Sequence, residues 1–232
     1  MTERMHIHIG ETELALSAEP RFRQAAVSAV REARSIVREK IDADPFFGLT
    51  FHPCEPARGD RPLIRRMCAA SVAAGVGPMA AVAGAVASHV AERLAEEGCS
   101  HAVIDNGGDV ALMTSREAIV RIYSGDDSMD DAAFAVPATG GRIMGLCSSS
   151  GRVGRSVSLG NSDLSAVFSG DPVLADACAT RLGNMISSPS DLKGAAEEVC
   201  GIGGVIGCLA MMDGSVAVCG DMPRLAMARG RG

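Results

Sequence analysis

The sequence predicts an α+β fold in which antiparallel sheets are covered by helices. Three observations carry that prediction. Apolar and polar residues alternate in paired runs joined by tight-turn residues: 5–9 with 12–16 around Gly10-Glu11, the runs flanking Asn106-Gly107, and 204–211 with 215–219 around Asp213-Gly214. Between the pairs lie stretches of helical periodicity, among them Ala26, Val30, Ala33 and Val37. Strands and helices do not alternate one by one, as a parallel sheet would require.

In chain order, the first hairpin leads into a helix that opens at Glu19-Pro20 and runs to about residue 41, where Asp44-Pro45 stops it. Residues 46–61 read as loop. Asp60 and Pro62 cap a short helix to about Ala74. Gly75-Val76-Gly77-Pro78 breaks the chain before a second helix, from about Met79 to Glu97. The free amides at Gly77-Pro78 suit a phosphate. Ala80, Gly84 and Ser88 form a small-residue stripe on that helix, suited to close packing or to a ligand. Strands follow at 101–104, 110–113 and 118–123, then an acidic, solvated loop at 125–131. Residues 142–147 read as a strand running into a Gly/Ser loop, Ser148 to Gly154, rich in amides that can cradle phosphate oxygens. Strand-like segments at 155–159 and 163–168 precede a helix from Asp171-Pro172, and a further helix spans about 190–200. The Arg-Gly tail after Arg224 reads as a frayed terminus.

Composition narrows the function. Nearly half of the 232 residues are apolar, enough for a substantial core, and no compositional shift marks a boundary, so residues 1–232 read as one unit. With six Phe, one Tyr and no Trp there are few platforms for stacking bases, and the net charge of −6 gives no basic face. A nucleic-acid partner is therefore not expected. The stretch from Met67 to Ala91 carries no charge except that of a histidine, but it is Ala/Gly-rich and broken in the middle; it reads as a buried helix pair rather than a membrane span. The start carries no apolar signal core, and the eight cysteines show neither Cys-x-x-Cys nor zinc spacing. A reduced, cytoplasmic setting fits best.

The constellation with most chemical content is Leu174 to Asn184. Asp176 and Thr180 lie four residues apart, on one face of the predicted helix. A carboxylate and a hydroxyl so placed offer two hard oxygens to Mg²⁺, which keeps its remaining positions for water and phosphate. Thr180 could instead bond back to the carbonyl of residue 176, with Asp176 simply solvated.

Four pieces recur in one order: a Gly/Ala-rich helix with Gly84, Asn-Gly-Gly-Asp at 106–109, Ser149-Ser150-Gly151, and Ala175-Asp-x-x-x-Thr180. That order, over residues 67–186, resembles the ApbE family of FAD:protein FMN transferases. It most resembles their small cytoplasmic branch in methanogens and sulfate reducers, associated with sulfide assimilation into homocysteine. The resemblance implies a T-fold-related architecture of two interleaved halves. It implies Mg²⁺ held by Asp176 and Thr180, and FAD or FMN, a flavin or other nucleotide, lined by Gly107, Gly108, Asp109, Ser149, Ser150 and Gly151. It also implies transfer of FMN to a protein hydroxyl with release of AMP. The chain departs from the family in the N-terminal part that helps hold FAD, which is shorter and poorly matched, and at two motifs. Val82-Ala83-Gly84 stands where the transferases carry Ala-Lys-Gly, and Arg155-Ser-Val-Ser158 where they carry His-Ile-Ile-Asp-Pro. An accessory protein of sulfur assimilation that lost the transfer step, with Cys147 as a persulfide carrier activated by the amide-rich loop, is the alternative.

Overall fold

The computed structural model describes residues 1–122, 132–150 and 160–227. Strands β1 (Glu3–Ile9) and β2 (Thr12–Ala18) form the expected first hairpin, with Ile9 opposite Thr12. Helix α1 (Arg23–Ala43) follows a 3-10 turn at Pro20–Phe22 and buries Ala26, Ala29, Val30, Ala33, Ile36 and Val37. Asp44 ends it, as expected, but Pro45 at once starts a one-turn helix, α2 (Pro45–Leu49), where only loop is predicted. Phe47 buries its ring there, which gives the turn a core contact that composition conceals.

Helix α3 (Pro62–Ala74) is preceded by Arg61 rather than by an Asp60 cap. The Asp60 carboxylate turns back to the Ala57 amide at 2.7 Å and to Lys40 Nζ at 3.2 Å. Gly75 closes α3 in the left-handed conformation (φ 69°). A 3-10 turn at Pro78–Ala81 then leads into α4 (Val82–Glu96). These two helical segments meet at 108°, and among the described residues no single helix is long and apolar enough to cross a membrane.

Then come β3 (Ala102–Asn106), β4 (Asp109–Met113), β5 (Ala118–Arg121), β6 (Ala132–Val136), β7 (Met144–Ser149) and β8 (Leu164–Ser169). Strand β6, Ala-Ala-Phe-Ala-Val, is missed by the sequence reading because it is buried on both faces and has no polar alternation. Helices α5 (Pro172–Asn184) and α6 (Leu192–Cys200) are followed by β9 (Val205–Met212), β10 (Ser215–Gly220) and β11 (Arg224–Met227). The start of the supposed frayed tail is thus a strand, β11, paired antiparallel with β6. The acidic loop, the strand-like segment 155–159, residues 151–154 of the Gly/Ser loop and residues 228–232 lie outside the described residues.

Every described pairing is antiparallel. One sheet has the order β1-β2-β3-β4-β7-β8-β9-β10, and a small one the order β11-β6-β5. The large sheet is built twice over: a hairpin, helices, then a second hairpin beside the first. Strands β1–β4 enclose α1 to α4 in sequence, and β7–β10 enclose α5 and α6. The expected α+β class, with antiparallel sheets and helices covering them, is what the chain forms. Residues such as Ile104, Ala111, Cys147 and Val167 join the helices in one core on one side of the large sheet. On the other side Val110, Leu146, Leu164 and Leu209 meet Val120, Phe134 and Val136 of the small sheet.

Candidate functional site

The β3–β4 hairpin shows why its residues are what they are. Asn106 and Asp109 are its last cross-strand pair, which leaves two residues for the turn. Gly107 (φ 73°) and Gly108 (φ 101°) both sit in left-handed backbone that other residues adopt at a cost. The Gly108 amide donates to Asp105 Oδ1 at 2.9 Å, and Asn106 Nδ2 donates to the Ala83 carbonyl at 3.1 Å. The turn is thereby fixed to itself and to α4. Strand alternation places Asp109 opposite Cys147, whose side chain belongs to the helix-side core.

Helix α5 supplies the second half of the site. Asp171 is its N-cap, as expected: its Oδ1 accepts from the Val173 amide at 2.9 Å and from Arg66 at 2.8 Å. One turn on, Asp176 is 7 % exposed, and its Oδ2 accepts from the Gly84 amide of α4 at 2.7 Å. A Cβ at Gly84 would stand 2.8 Å from Asp176 Cβ and would run into the Pro172 carbonyl oxygen. The small-residue stripe on α4 therefore serves helix packing, and that close approach is what delivers an amide to the carboxylate.

Asp109 and Asp176 interact, although they lie 67 positions apart in the chain. Burial, then the neighbouring Asp176 charge, hold the Asp109 carboxyl well above the ordinary carboxylate range. Burial pushes Asp176 up to about 7, against the lowering effect of the Gly84 amide and of Asp109. Asp109 Oδ1 is buried with no hydrogen-bond partner among the described residues. So is Ser149 Oγ, at the end of β7 and on the same face as Cys147. Ser150 is buried just beyond it, and Gly151 lies outside the described residues. Thr180 is half-buried, one helical turn after Asp176. Among the described residues no group of three or more His, Cys, Asp or Glu side chains is arranged to hold a metal ion, so a cation here would have two carboxylates as its charged ligands.

Two expectations need correction. The amides at Gly77-Pro78 are not an open phosphate seat: Gly77 and Pro78 are buried, and Gly77 lies against the backbone of Thr50 and Phe51. Cys147 is not a thiolate poised by amides. It is fully buried, donates to the Pro172 carbonyl at 3.5 Å, and is held well above its usual range by burial and by Asp109 and Asp176. A neutral, enclosed thiol lacks the ionisation and access that persulfide chemistry needs. His89, a half-buried residue on α4, stands 3.4 Å from Glu32 of α1 and takes no part in the site. Recesses of about 720 Å³, beside Arg4, Asp105 and Arg224, and about 450 Å³, beside Cys99 and Thr114, lie apart from Asp109, Asp176 and Thr180.

Comparison with known proteins agrees with this architecture. Residues 1–200 match the family model described as AbpE bacteria. A UPF0280 protein of Methanothrix thermoacetophila is 42 % identical over 207 residues, covering 89 % of this chain and 86 % of the relative. A UPF0280 protein of Archaeoglobus fulgidus is 39 % identical, covering 93 % of this chain and 91 % of the relative. Among solved structures, the apo form of the flavinyl transferase ApbE from Pseudomonas stutzeri aligns with a TM-score of 0.59 at 12 % identity, over 94 % of each chain. A mutant of the flavin transferase ApbE from Vibrio cholerae aligns with a TM-score of 0.62 at 8 % identity, over 94 % of this chain and 97 % of that one. At such identity the structural likeness speaks for the fold, whereas the sequence matches speak for kinship. The chain belongs to the family described as AbpE bacteria, in the ApbE-like superfamily and alongside the archaeal UPF0280 proteins.

Proposed function

We propose that this protein binds a flavin or nucleotide through its pyrophosphate, together with Mg²⁺, where α5 meets β4 and β7. The observation that carries the reading is Asp109 Oδ1, buried with no hydrogen-bond partner among the described residues, beside a second buried carboxylate. A lone carboxylate pair in a dry site would repel a phosphate. A divalent cation between them reverses that sign, so the residues present fit the ion. Asp109 and Asp176 would hold it with help from the Thr180 hydroxyl, a donor set of few carboxylates that leaves room for water and phosphate. Gly107 and Gly108 bring backbone close to the nucleotide, and Ser149 and Ser150 offer hydroxyls, with Gly151 next in sequence. Bound Mg²⁺ would neutralise pyrophosphate charge. The chain's own part is to orient the ligand and keep water from it.

The names of the structural neighbours speak of flavin transfer, and the same pocket in this chain would present the FAD pyrophosphate to an incoming protein hydroxyl. Val82-Ala83-Gly84 supplies no lysine there, so the reading is built on binding, with transfer as its extension. Titration calorimetry with FAD, FMN and AMP tests the first part. Binding is expected with Mg²⁺, to weaken at least tenfold with EDTA, and to be lost in Asp176→Asn. Binding indifferent to EDTA, or none at all, sinks it. AMP release from FAD in the presence of a Ser/Thr target peptide decides the extension.

A further inference from the structure

Away from that site, three thiols converge where α6 meets the sheet edge. Cys208 of β9 and Cys219 of β10 face each other in the strand register. Cys200 ends α6, which packs against both β9 and β10, and its thiol interacts electrostatically with those of Cys219 and Cys208. Cys208 is fully buried, and its thiol is occupied with the Ala196 carbonyl at 3.3 Å. Cys200 and Cys219 are only partly buried. Gly220 admits this arrangement: a Cβ there would stand 2.8 Å from Cys200 Sγ. The pair sits at a vulnerable place. β10 is an edge strand of the large sheet, it presents Val216 and Val218 at 55 % and 56 % exposure, and it carries no charged residue of its own.

We propose that Cys200 and Cys219 are a reversible dithiol–disulfide pair whose oxidation ties the end of α6 to edge strand β10. The oxidant is a small-molecule disulfide. The thiolate of one cysteine attacks that disulfide, forms a mixed disulfide and expels one thiolate. The second cysteine then attacks the protein sulfur of the mixed disulfide and expels the other. Both protein protons are released, one to each departing thiolate, so two protein thiols are oxidised and one external disulfide is reduced to two thiols. Burial and the neighbouring Cys219 hold the Cys200 thiol above its ordinary range, which lowers its thiolate fraction and slows its attack on the oxidant. Cys54 and Cys68, which also interact, differ, because Cys68 is buried and pushed up to about 11 by that burial.

The full-length protein is treated with oxidised glutathione, and its intact mass and peptide map are recorded. The expected product has lost the mass of two hydrogen atoms and yields a peptide joining Cys200 to Cys219. Cys200→Ser and Cys219→Ser should each stop at a glutathione adduct, while Cys208→Ser should still form the link. In the wild-type protein, amide exchange across β10 should slow on oxidation and recover on reduction. Glutathione adducts alone in the wild-type protein, or a link made through Cys208 or between Cys54 and Cys68, would overturn the proposal. The wild-type map decides the matter even if a serine variant fails to fold.

Discussion

The large sheet contains two comparable halves, β1–β4 with their helices and β7–β10 with theirs, and each ends in a hairpin with a two-residue left-handed turn. In the first half that turn is Gly107-Gly108; in the second it is Asp213 (φ 49°) and Gly214 (φ 74°). Both meet the same backbone demand, and either could be predicted as a hairpin from its dipeptide. Their surroundings differ. β4 lies in the middle of the sheet and pairs with β7, so Asp109 enters an interior that the other half completes with Asp176. β10 is an edge strand, and Ser215, its residue corresponding to Asp109, is exposed. What separates the turn beside the candidate site from a purely structural one here is the seam. Asp109 comes from one half and Asp176 from the other, and neither half alone encloses a carboxylate pair.

If the seam is what matters, its carboxylates should govern how stability varies with pH. Burial raises both carboxyls in the folded chain, so each binds its proton more tightly there than when unfolded. Their contribution is then fully present below the unfolded aspartate range, and it is lost as pH rises through about 7, where Asp176 titrates. In urea denaturation without metal, stability should fall across pH 4 to 7 by up to about 1.4 kcal/mol per pH unit for each proton released. Asp176→Asn should flatten that decline, and millimolar Mg²⁺ should reverse it by binding the ionised pair. A decline unchanged in Asp176→Asn would place its cause elsewhere and break the comparison.

The contact that joins the halves can also be tested by steric means. Gly84 of α4 lies where the Pro172 carbonyl and Asp176 Cβ leave no room for a methyl group. The obstacle on one side is backbone, which cannot swing away. Gly84→Ala should therefore cost about 1–3 kcal/mol by overpacking, despite alanine's better helix propensity. It should also weaken Mg²⁺ binding, because the Gly84 amide would be displaced from Asp176. Denaturant midpoints and metal titration on the same variant would show whether stability and binding are lost together.

Much of this was legible in the chain itself, and what was not has definite causes. Hairpin dipeptides, helix caps such as Asp171-Pro172 and the period of α1 are local signals, so those elements and the order of the site pieces could be read. Asp176 could be singled out by its spacing from Thr180, but its partner is Asp109, across the sheet seam, and no local spacing encodes that. β6 was hidden by burial on both faces, and β11 by a charged, Gly-rich context that resembles a loose end. The phosphate seat expected at Gly77 failed because the chain at Thr50 and Phe51 already fills it. The reactive thiol expected at Cys147 failed because its neighbours are carboxylates rather than free amides. In each failure the deciding group is remote in sequence.

The smallest effect is expected in the second half, at Gly194 of α6. This glycine is exposed near the start of the helix, and nothing lies within 4 Å of the position a Cβ would take. Its backbone is already helical, so an added methyl group meets no obstacle and removes freedom only from the unfolded chain. Gly194→Ala should then stabilise the protein by about 0.4–1 kcal/mol, with no change in the pH profile or in metal binding. The same chemical change is thus expected to act with opposite sign on two helices of one sheet layer: harmful where α4 meets α5 at the seam, helpful where α6 faces solvent. If both alanine variants were destabilised alike, the penalty at Gly84 would reflect a general intolerance of the helical layer, and the close approach of α4 to Asp176 would lose its special standing.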